Sequence, residues 1–174
     1  MTEEKGLQSF KITPRILFSR LTVSFYFKTD GHSKVGILST DGQYHRCEDL
    51  ISILADGRDL IINTFDGGRC KVQSSQLRFP NVFKPNEFTF VAITFDRGNS
   101  YTWTVYNDAG DVLGFSHMVS YQTFAEEIDL GIGWGDNREY TMSTTHALAC
   151  VALYNTILTA PDIAALPCAC HFQA

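Results

Sequence analysis

The sequence predicts an all-β domain, a two-sheet antiparallel β-sandwich closed by one short C-terminal helix. Three observations predict it: apolar residues that alternate with a period of two, turn signals that recur at short intervals, and a single well-capped helical segment near the end.

The alternation is clearest early in the chain. Leu21, Val23, Phe25 and Phe27 interleave with Thr22, Ser24, Tyr26 and Lys28. Successive side chains of a strand point to opposite faces, so the four apolar groups share one face. Tyr101, Trp103 and Val105 alternate with Thr102 and Thr104 in the same way. Three further runs, Leu50 to Leu54, Leu60 to Ile62 and Phe88 to Phe95, are apolar at consecutive positions. Such runs suit strands covered on both faces, as when a second sheet packs over the first.

Turn residues punctuate these segments. Asp30-Gly31, Asp41-Gly42, Asp56-Gly57, Asp66-Gly67-Gly68, Arg97-Gly98-Asn99 and Asp108-Ala109-Gly110 each pair a glycine with a polar residue that bonds locally to backbone. Pro80 and Pro85 bracket a loop, because neither can donate to a strand ladder. The helix is announced by Thr159-Ala160-Pro161-Asp162, a Thr N-cap with an early proline and an acid placed to reach back to the cap. Ile163 to Leu166 continue it and Pro167 is expected to stop it. No linker, internal repeat or low-complexity tract interrupts the pattern, so residues 8–167 read as one domain, with tails at 1–7 and 168–174.

Composition narrows the function classes. Hydrophobic residues make up 44% of the 174 and charged residues 19%, which excludes disorder by composition. A formal charge of −5 disfavours a phosphate-backbone binder, which needs a clustered basic face. No apolar window of about 18 residues is available for a membrane-spanning helix. The start, Met1-Thr2-Glu3-Glu4-Lys5, lacks the apolar run of a signal peptide. That leaves an intracellular protein, one that begins after a leader, or part of a longer chain, and the compartment stays open.

Five cysteines are an odd number, so one is unpaired within the chain or pairs outside it. Cys47 and Cys70 flank two expected strands. Cys150 lies in an apolar run, Ala147 to Leu153, where a buried free thiol is expected. Cys168-Ala169-Cys170-His171 has half of the ligands of a metal site and no second pair at ligand spacing. The same cysteines would serve to pin the tail to the body by a disulfide.

Four stretches, in this order and spacing, resemble the laminin-G-like, concanavalin A-like superfamily. Leu21 to Phe27 is similar to its early core strand. Asn86 to Asp96 is similar to a strand that many members write Trp-His-x-Val-Ala-x-Thr-Tyr-Asp, with Phe88 standing here in the tryptophan position. Trp103-Thr-Val-Tyr-Asn107 with Gly110 is similar to Val-x-Leu-Tyr-Val-Asn-Gly. Ala149 to Ile163 is similar to the closing strand and helix. The resemblance covers residues 8–167 and implies a jelly roll. It implies no single activity, because the fold carries lectins, adhesion modules, enzymes and scaffolds.

Candidate site residues fall in four places. Glu126-Glu127-Ile128-Asp129 is similar to the paired carboxylates of laminarinase-type hydrolases in this superfamily. Retaining hydrolysis needs two carboxyls about 5 Å apart. Glu127 and Asp129 share a parity, but Gly131, Ile132 and Gly133 stand where the second glutamate belongs, and the acids read as solvated strand residues. The loop Gly133-Trp134-Gly135-Asp136-Asn137-Arg138-Glu139-Tyr140 is richer. A Trp face stacks on a pyranose, Asp136, Asn137 and Arg138 offer hydrogen bonds to hydroxyls, and flanking glycines allow the ring to be carried outward. The competing expectation is that Trp134 folds back into the core. Tyr44, His45 and Arg46 offer a second polar rim in Asp41 to Cys47, where a plain exposed hairpin end is the alternative. Asp96, Asp108, Asp129, Asp136 and Asn137 are candidate oxygen donors for Ca²⁺, which the resemblance brings to mind and turn chemistry also explains. No metal is assigned as a resident cofactor. His32, His45, His117, His146 and His171 form no catalytic motif.

The expected function is a non-catalytic, lectin-like carbohydrate-binding or adhesion module whose partner is a glycan or protein ligand, with Trp134, Asp136, Asn137, Arg138, Tyr44 and His45 as contacts. A protein-interaction or structural module of a larger surface protein is the alternative, and a glycoside hydrolase the remote one. The ligand and the oligomeric state are left open.

Overall fold

A computed structural model of the chain describes residues 10–12, 20–41, 51–65, 73–96, 102–117, 128–133 and 142–169. The strands are β1 (Phe10–Ile12), β2 (Arg20–Lys28), β3 (Lys34–Asp41), β4 (Ile51–Asp56), β5 (Asp59–Phe65), β6 (Gln73–Phe79), β7 (Thr89–Asp96), β8 (Thr102–Tyr106), β9 (Val112–His117), β10 (Ile128–Ile132) and β11 (Ala147–Tyr154), followed by helix α1 (Ala160–Ala165) and a 3₁₀ turn (Leu166–Ala169). They form a six-stranded sheet in the order β1-β10-β3-β4-β5-β6 and a five-stranded sheet in the order β11-β2-β7-β8-β9. Every ladder within the two sheets is antiparallel. This is the predicted two-sheet sandwich.

The core lies between the sheets. From β2 come Leu21, Val23, Phe25 and Phe27, the alternating set seen in the sequence, and opposite them stand Ile51, Ile53, Leu60 and Ile62 of the six-stranded sheet. Trp103 is 1% exposed and tilts against Phe95 at a centroid distance of 4.5 Å. Each such large side chain contributes roughly 1.5–3 kcal/mol by leaving water.

Residues 51–54, 60–62 and 90–95 of the doubly apolar runs are buried on both sides, as expected, but the outer faces are covered differently in the two sheets. On the five-stranded sheet Phe90 and Ala92 are sealed by Ile163 of α1, with Tyr26, Tyr106, Leu158 and Leu166 around them. Thr22, nominally on the polar side of β2, is fully buried there. Its hydroxyl donates to the Thr156 carbonyl at 2.7 Å and accepts the Leu158 N–H at 3.0 Å, fixing the approach to the helix. The predicted capping box is present: Thr159 accepts from the Asp162 N–H, and Asp162 accepts from the Thr159 N–H. Hydrogen bonds from Thr159 hold the Asp162 carboxyl below the ordinary carboxylate range. The α-helix ends at Ala165, before Pro167 as expected, and Pro167 itself sits in a 3₁₀ turn, where a missing N–H costs little.

On the six-stranded sheet the outer row Ser39, Ser52 and Asn63 is also buried, at 2%, 0% and 2% exposure. These three lie side by side in register across β3, β4 and β5, and Gln76 of β6 extends the row. Gln76 Nε2 donates to Asn63 Oδ1 at 2.9 Å. Buried polar groups must be satisfied, and this row meets that demand in part by cross-strand pairing.

Two expectations need correction. Cys150 is neither buried nor free: it is disulfide-bonded and exposed. The register between β11 and β2 slips between Ala149 and Ala152, and Cys150, with φ of +53°, sits in that bulge. The extra residue breaks the alternation on which burial was inferred and turns the cysteine out of the apolar row. Phe88, in the position many relatives fill with tryptophan, is 44% exposed, because β7 begins only at Thr89. Cys47 and Cys70 lie outside the described residues.

Candidate ligand-binding rim

The strand ends divide the candidate residues between two rims of the sandwich. The β2–β3 turn (Thr29 to Ser33), the β4–β5 turn at Gly57 and the loop 80–88 gather at one rim, joined by backbone bonds. Gly57 N–H donates to the Ser33 carbonyl at 3.0 Å, Phe83 N–H to the Arg58 carbonyl at 2.9 Å, and Asn86 N–H to the Thr29 carbonyl at 2.7 Å. Thr29 and Pro85 form an isolated parallel bridge. Gly31 packs so tightly on Pro85 that a Cβ would lie 2.8 Å from its Cγ.

β10 runs toward this same rim and ends short of it, beside the middle of β3. Its last residue, Ile132, pairs with Leu38, and the Gly133 N–H then donates to the Ile37 carbonyl at 2.8 Å. Gly133 is buried with φ of +79°, a conformation that a residue with a Cβ adopts only under strain, so glycine is required where the strand ends. Trp134, Asp136, Asn137 and Arg138 follow and lie outside the described residues. The chain re-enters at Met142 and reaches β11 at Ala147, paired with Lys28 beside the Asp30 turn. Of the two described ends of this segment, the one that leads into Ala147 is at the first rim, and Gly133 lies beside Ile37 within the span of β3.

Tyr44 and His45 also lie outside the described residues. Their segment leaves β3 at Asp41 and returns at Ile51. Asp41 pairs with Asp129 at the start of β10, and Ile51 with Thr64 near the end of β5, so these strand ends form the opposite rim. The described flanks of the two sequence-derived loops thus differ: Asp41 and Ile51 are strand ends of the opposite rim, whereas Gly133 lies beside the middle of β3. Asp96 and Asp108 are separated by the length of β8: Asp96 faces Thr102 at its start, and Asp108 follows its end. Asp129 is flanked in register by Lys11 and Asp41. Glu127 is outside the described residues. Among the described residues no cluster of three or more His, Cys, Asp or Glu side chains is placed to hold a metal.

The first rim is both polar and rigid. Arg58, Lys84, Asn86 and Glu87 are exposed on it, as are Ser143 and Thr145. Asn81 and Asn86 hold φ of +56° and +62°, a left-handed conformation that asparagine tolerates better than other side chains with a Cβ. Asp59 accepts the Asn81 N–H at 2.8 Å, and that bond, with Arg78, holds its carboxyl below the ordinary range. Side chains already fixed in place lose less freedom when a ligand docks.

A feature of this rim that sequence alone did not reveal is the contact between Asp30 and His146. Asp30 Oδ1 accepts the N–H groups of His32 and Ser33 at 2.8 and 2.9 Å, and Oδ2 accepts the Ser33 hydroxyl at 2.6 Å. Those bonds, that of the Ser33 hydroxyl foremost, hold the carboxyl far below the usual range. The His146 ring stacks on Phe27 with its Nε2 3.7 Å from Asp30 Oδ1. An Asp-Gly pair signals a turn, but nothing in the sequence links it to a histidine more than a hundred residues later.

The two sheets, their strand order and the terminal helix can be set beside known families. The family model of laminin-G type, described as the concanavalin A-like lectin/glucanases superfamily, matches residues 6–164. The chain belongs to that superfamily. A comparison with curated protein sequences finds no match. Among solved structures, a sialidase CBM40 of Ruminococcus gnavus bound to α2,3-sialyllactose aligns with a TM-score of 0.61 at 10% identity, over 87% of this chain and 84% of that one. A botulinum neurotoxin type C structure, whose description states that cell entry depends on interaction with two ganglioside molecules, aligns with a TM-score of 0.60 at 11% identity, over 96% of this chain and 45% of that one. The binding domain of botulinum neurotoxin serotype D aligns with a TM-score of 0.60 at 14% identity, over 92% and 44%. This superfamily member therefore spans less than half of the toxin chains it matches. At these identities the likeness is one of fold.

Proposed function

We propose that this chain is a non-catalytic carbohydrate-binding module that takes its glycan at the first rim, with Trp134 as the stacking platform and Asp136, Asn137 and Arg138 as hydrogen-bonding groups. The observation that carries the reading is the near end-to-end fold match with a sialyllactose-bound binding domain, 87% of one chain on 84% of the other. The positive φ of Gly133 supports it, because a glycine turn ends β10 immediately before Trp134, and β10 runs toward the rim where Arg58 and Lys84 are exposed. Tyr44 and His45, in a segment whose flanking strand ends Asp41 and Ile51 are at the opposite rim, serve in this reading as a separate polar surface. A glycan array that includes neutral and sialylated oligosaccharides tests the proposal. Saturable binding to a defined glycan class is expected; silence across the array from demonstrably folded protein would sink it.

A second reading, a protein-interaction module, is favoured by one feature. Val112, Leu113 and Phe115 on edge strand β9 are 54%, 44% and 66% exposed. Isolated apolar side chains are ordinary on surfaces, but three within four residues of an edge strand suit a protein contact. Concentration-dependent association in sedimentation experiments, abolished by Phe115→Ser, would favour it over glycan recognition.

A further inference from the structure

His146 has an unmet hydrogen-bonding atom in a place where it cannot reach water. Its side chain is 2% exposed, and Nε2 has no hydrogen-bond partner. Its other nitrogen is occupied: Nδ1 lies 2.7 Å from the Ser143 hydroxyl and 3.3 Å from that of Thr145. A buried polar atom left without a partner is destabilising, so its presence calls for an explanation.

The only carboxylate within 4.0 Å of the ring among the described residues is that of Asp30, at 3.7 Å. Lys28 of β2, His32 and Lys34 at the adjoining turn, Asp56, Arg58 and Asp59 of the β4–β5 turn, and Lys84 and Glu87 of the 80–88 loop are the other titratable or charged groups on the elements that meet at this rim. None of them is bonded to the imidazole. The neutral ring leaves Nε2 either as a donor too far from oxygen for a good bond or as a lone pair facing an anion. The doubly protonated ring presents two donors. One faces the Ser143 hydroxyl, and the other faces a carboxylate that three local hydrogen bonds keep ionised.

We propose that His146 and Asp30 form a proton-operated clasp: uptake of a proton from solvent at Nε2 draws the 3.7 Å contact into an ion pair that ties the entry of β11 to the β2–β3 turn. The segment from Met142 to His146 is the described end of the stretch that carries Trp134, so the clasp fixes one root of that stretch at acid pH and loosens it at alkaline pH. The inference stands whether or not the ligand is a glycan.

The test is a double-mutant cycle on the folding constant, with His146→Gln and Asp30→Asn singly and together, at pH 5 and pH 8. Asp30→Asn keeps the side-chain shape without the charge, and His146→Gln keeps polar atoms without a titrating ring. The coupling factor is expected to be roughly fivefold or more larger at pH 5 than at pH 8. Equal coupling at the two pH values would overturn the clasp. A measurement on the unmodified chain stands beside it should a variant fail to fold. Nitrogen-15 shifts of the His146 ring are expected to show both nitrogens protonated at pH 5, with an Nε2–H protected from exchange; a ring still singly protonated there would equally refute the idea.

Discussion

Phe79 and Gly114 close the sandwich along one edge. The two belong to β6 and β9, the edge strands of different sheets, and a Cβ built on Gly114 would lie 2.6 Å from Cδ1 and 2.9 Å from Cε1 of the Phe79 ring. Phe79 is 5% exposed and part of the central cluster, so it has little room to yield. Gly114→Ala is therefore expected to destabilise the fold by about 1–3 kcal/mol through overpacking. Combining it with Phe79→Leu should cost less than the sum of the two single changes, because the smaller side chain makes space for the methyl group. Urea unfolding of the three variants checks this; strict additivity would show that the ring and the glycine do not compete for the same volume.

Thr22 anchors the path into the helix through a single hydroxyl that donates to Thr156 and accepts from Leu158. Thr22→Val keeps the shape and removes both bonds, leaving the part-buried Thr156 carbonyl and Leu158 N–H without that partner. A loss of about 1–3 kcal/mol is expected. Hydrogen exchange should rise selectively at Leu158 and in α1. Uniform exchange across the five-stranded sheet would place the effect elsewhere.

Acid should weaken the first rim through Asp30. Its folded-state pKa is lowered, chiefly by the Ser33 hydroxyl, so its contribution to stability is present above the ordinary carboxylate range and is lost as pH falls through that range and below. Ser33→Ala removes the largest cause and brings the folded titration back towards that of the unfolded chain. Compared with the unmodified protein, the variant is expected to be less stable at pH 7 and to lose less stability between pH 5 and pH 2. Urea midpoints across that range measure both, and an unchanged acid slope would contradict the assignment.

Much of the fold was legible because burial and chain direction leave short-range marks. The β2 alternation, the Asp30-Gly31 and Asp56-Gly57 turns and the Thr159–Asp162 capping box are local patterns, and each appears where the sequence put it. Cys150 was misjudged because a bulge is one extra residue, and nothing in Ala147 to Leu153 marks where it falls. The buried Ser39–Ser52–Asn63 row and the His146–Asp30 contact were hidden for a different reason. Both join residues far apart in the chain, and pairing register is a property of the assembled sheet.

The central claim is that a glycan stacks on Trp134. The chain has two tryptophans, and Trp103 is 1% exposed within the core against Phe95, so it is a silent reference for any ligand at the rim. The decisive measurement is intrinsic tryptophan fluorescence during titration with α2,3-sialyllactose and neutral oligosaccharides, repeated on Trp134→Ala. The account predicts a saturable change with at least one glycan class, abolished in the variant while its melting temperature stays within a few degrees of the original. Glycan binding that survives intact in Trp134→Ala, or no response to any glycan from the folded protein, would contradict it.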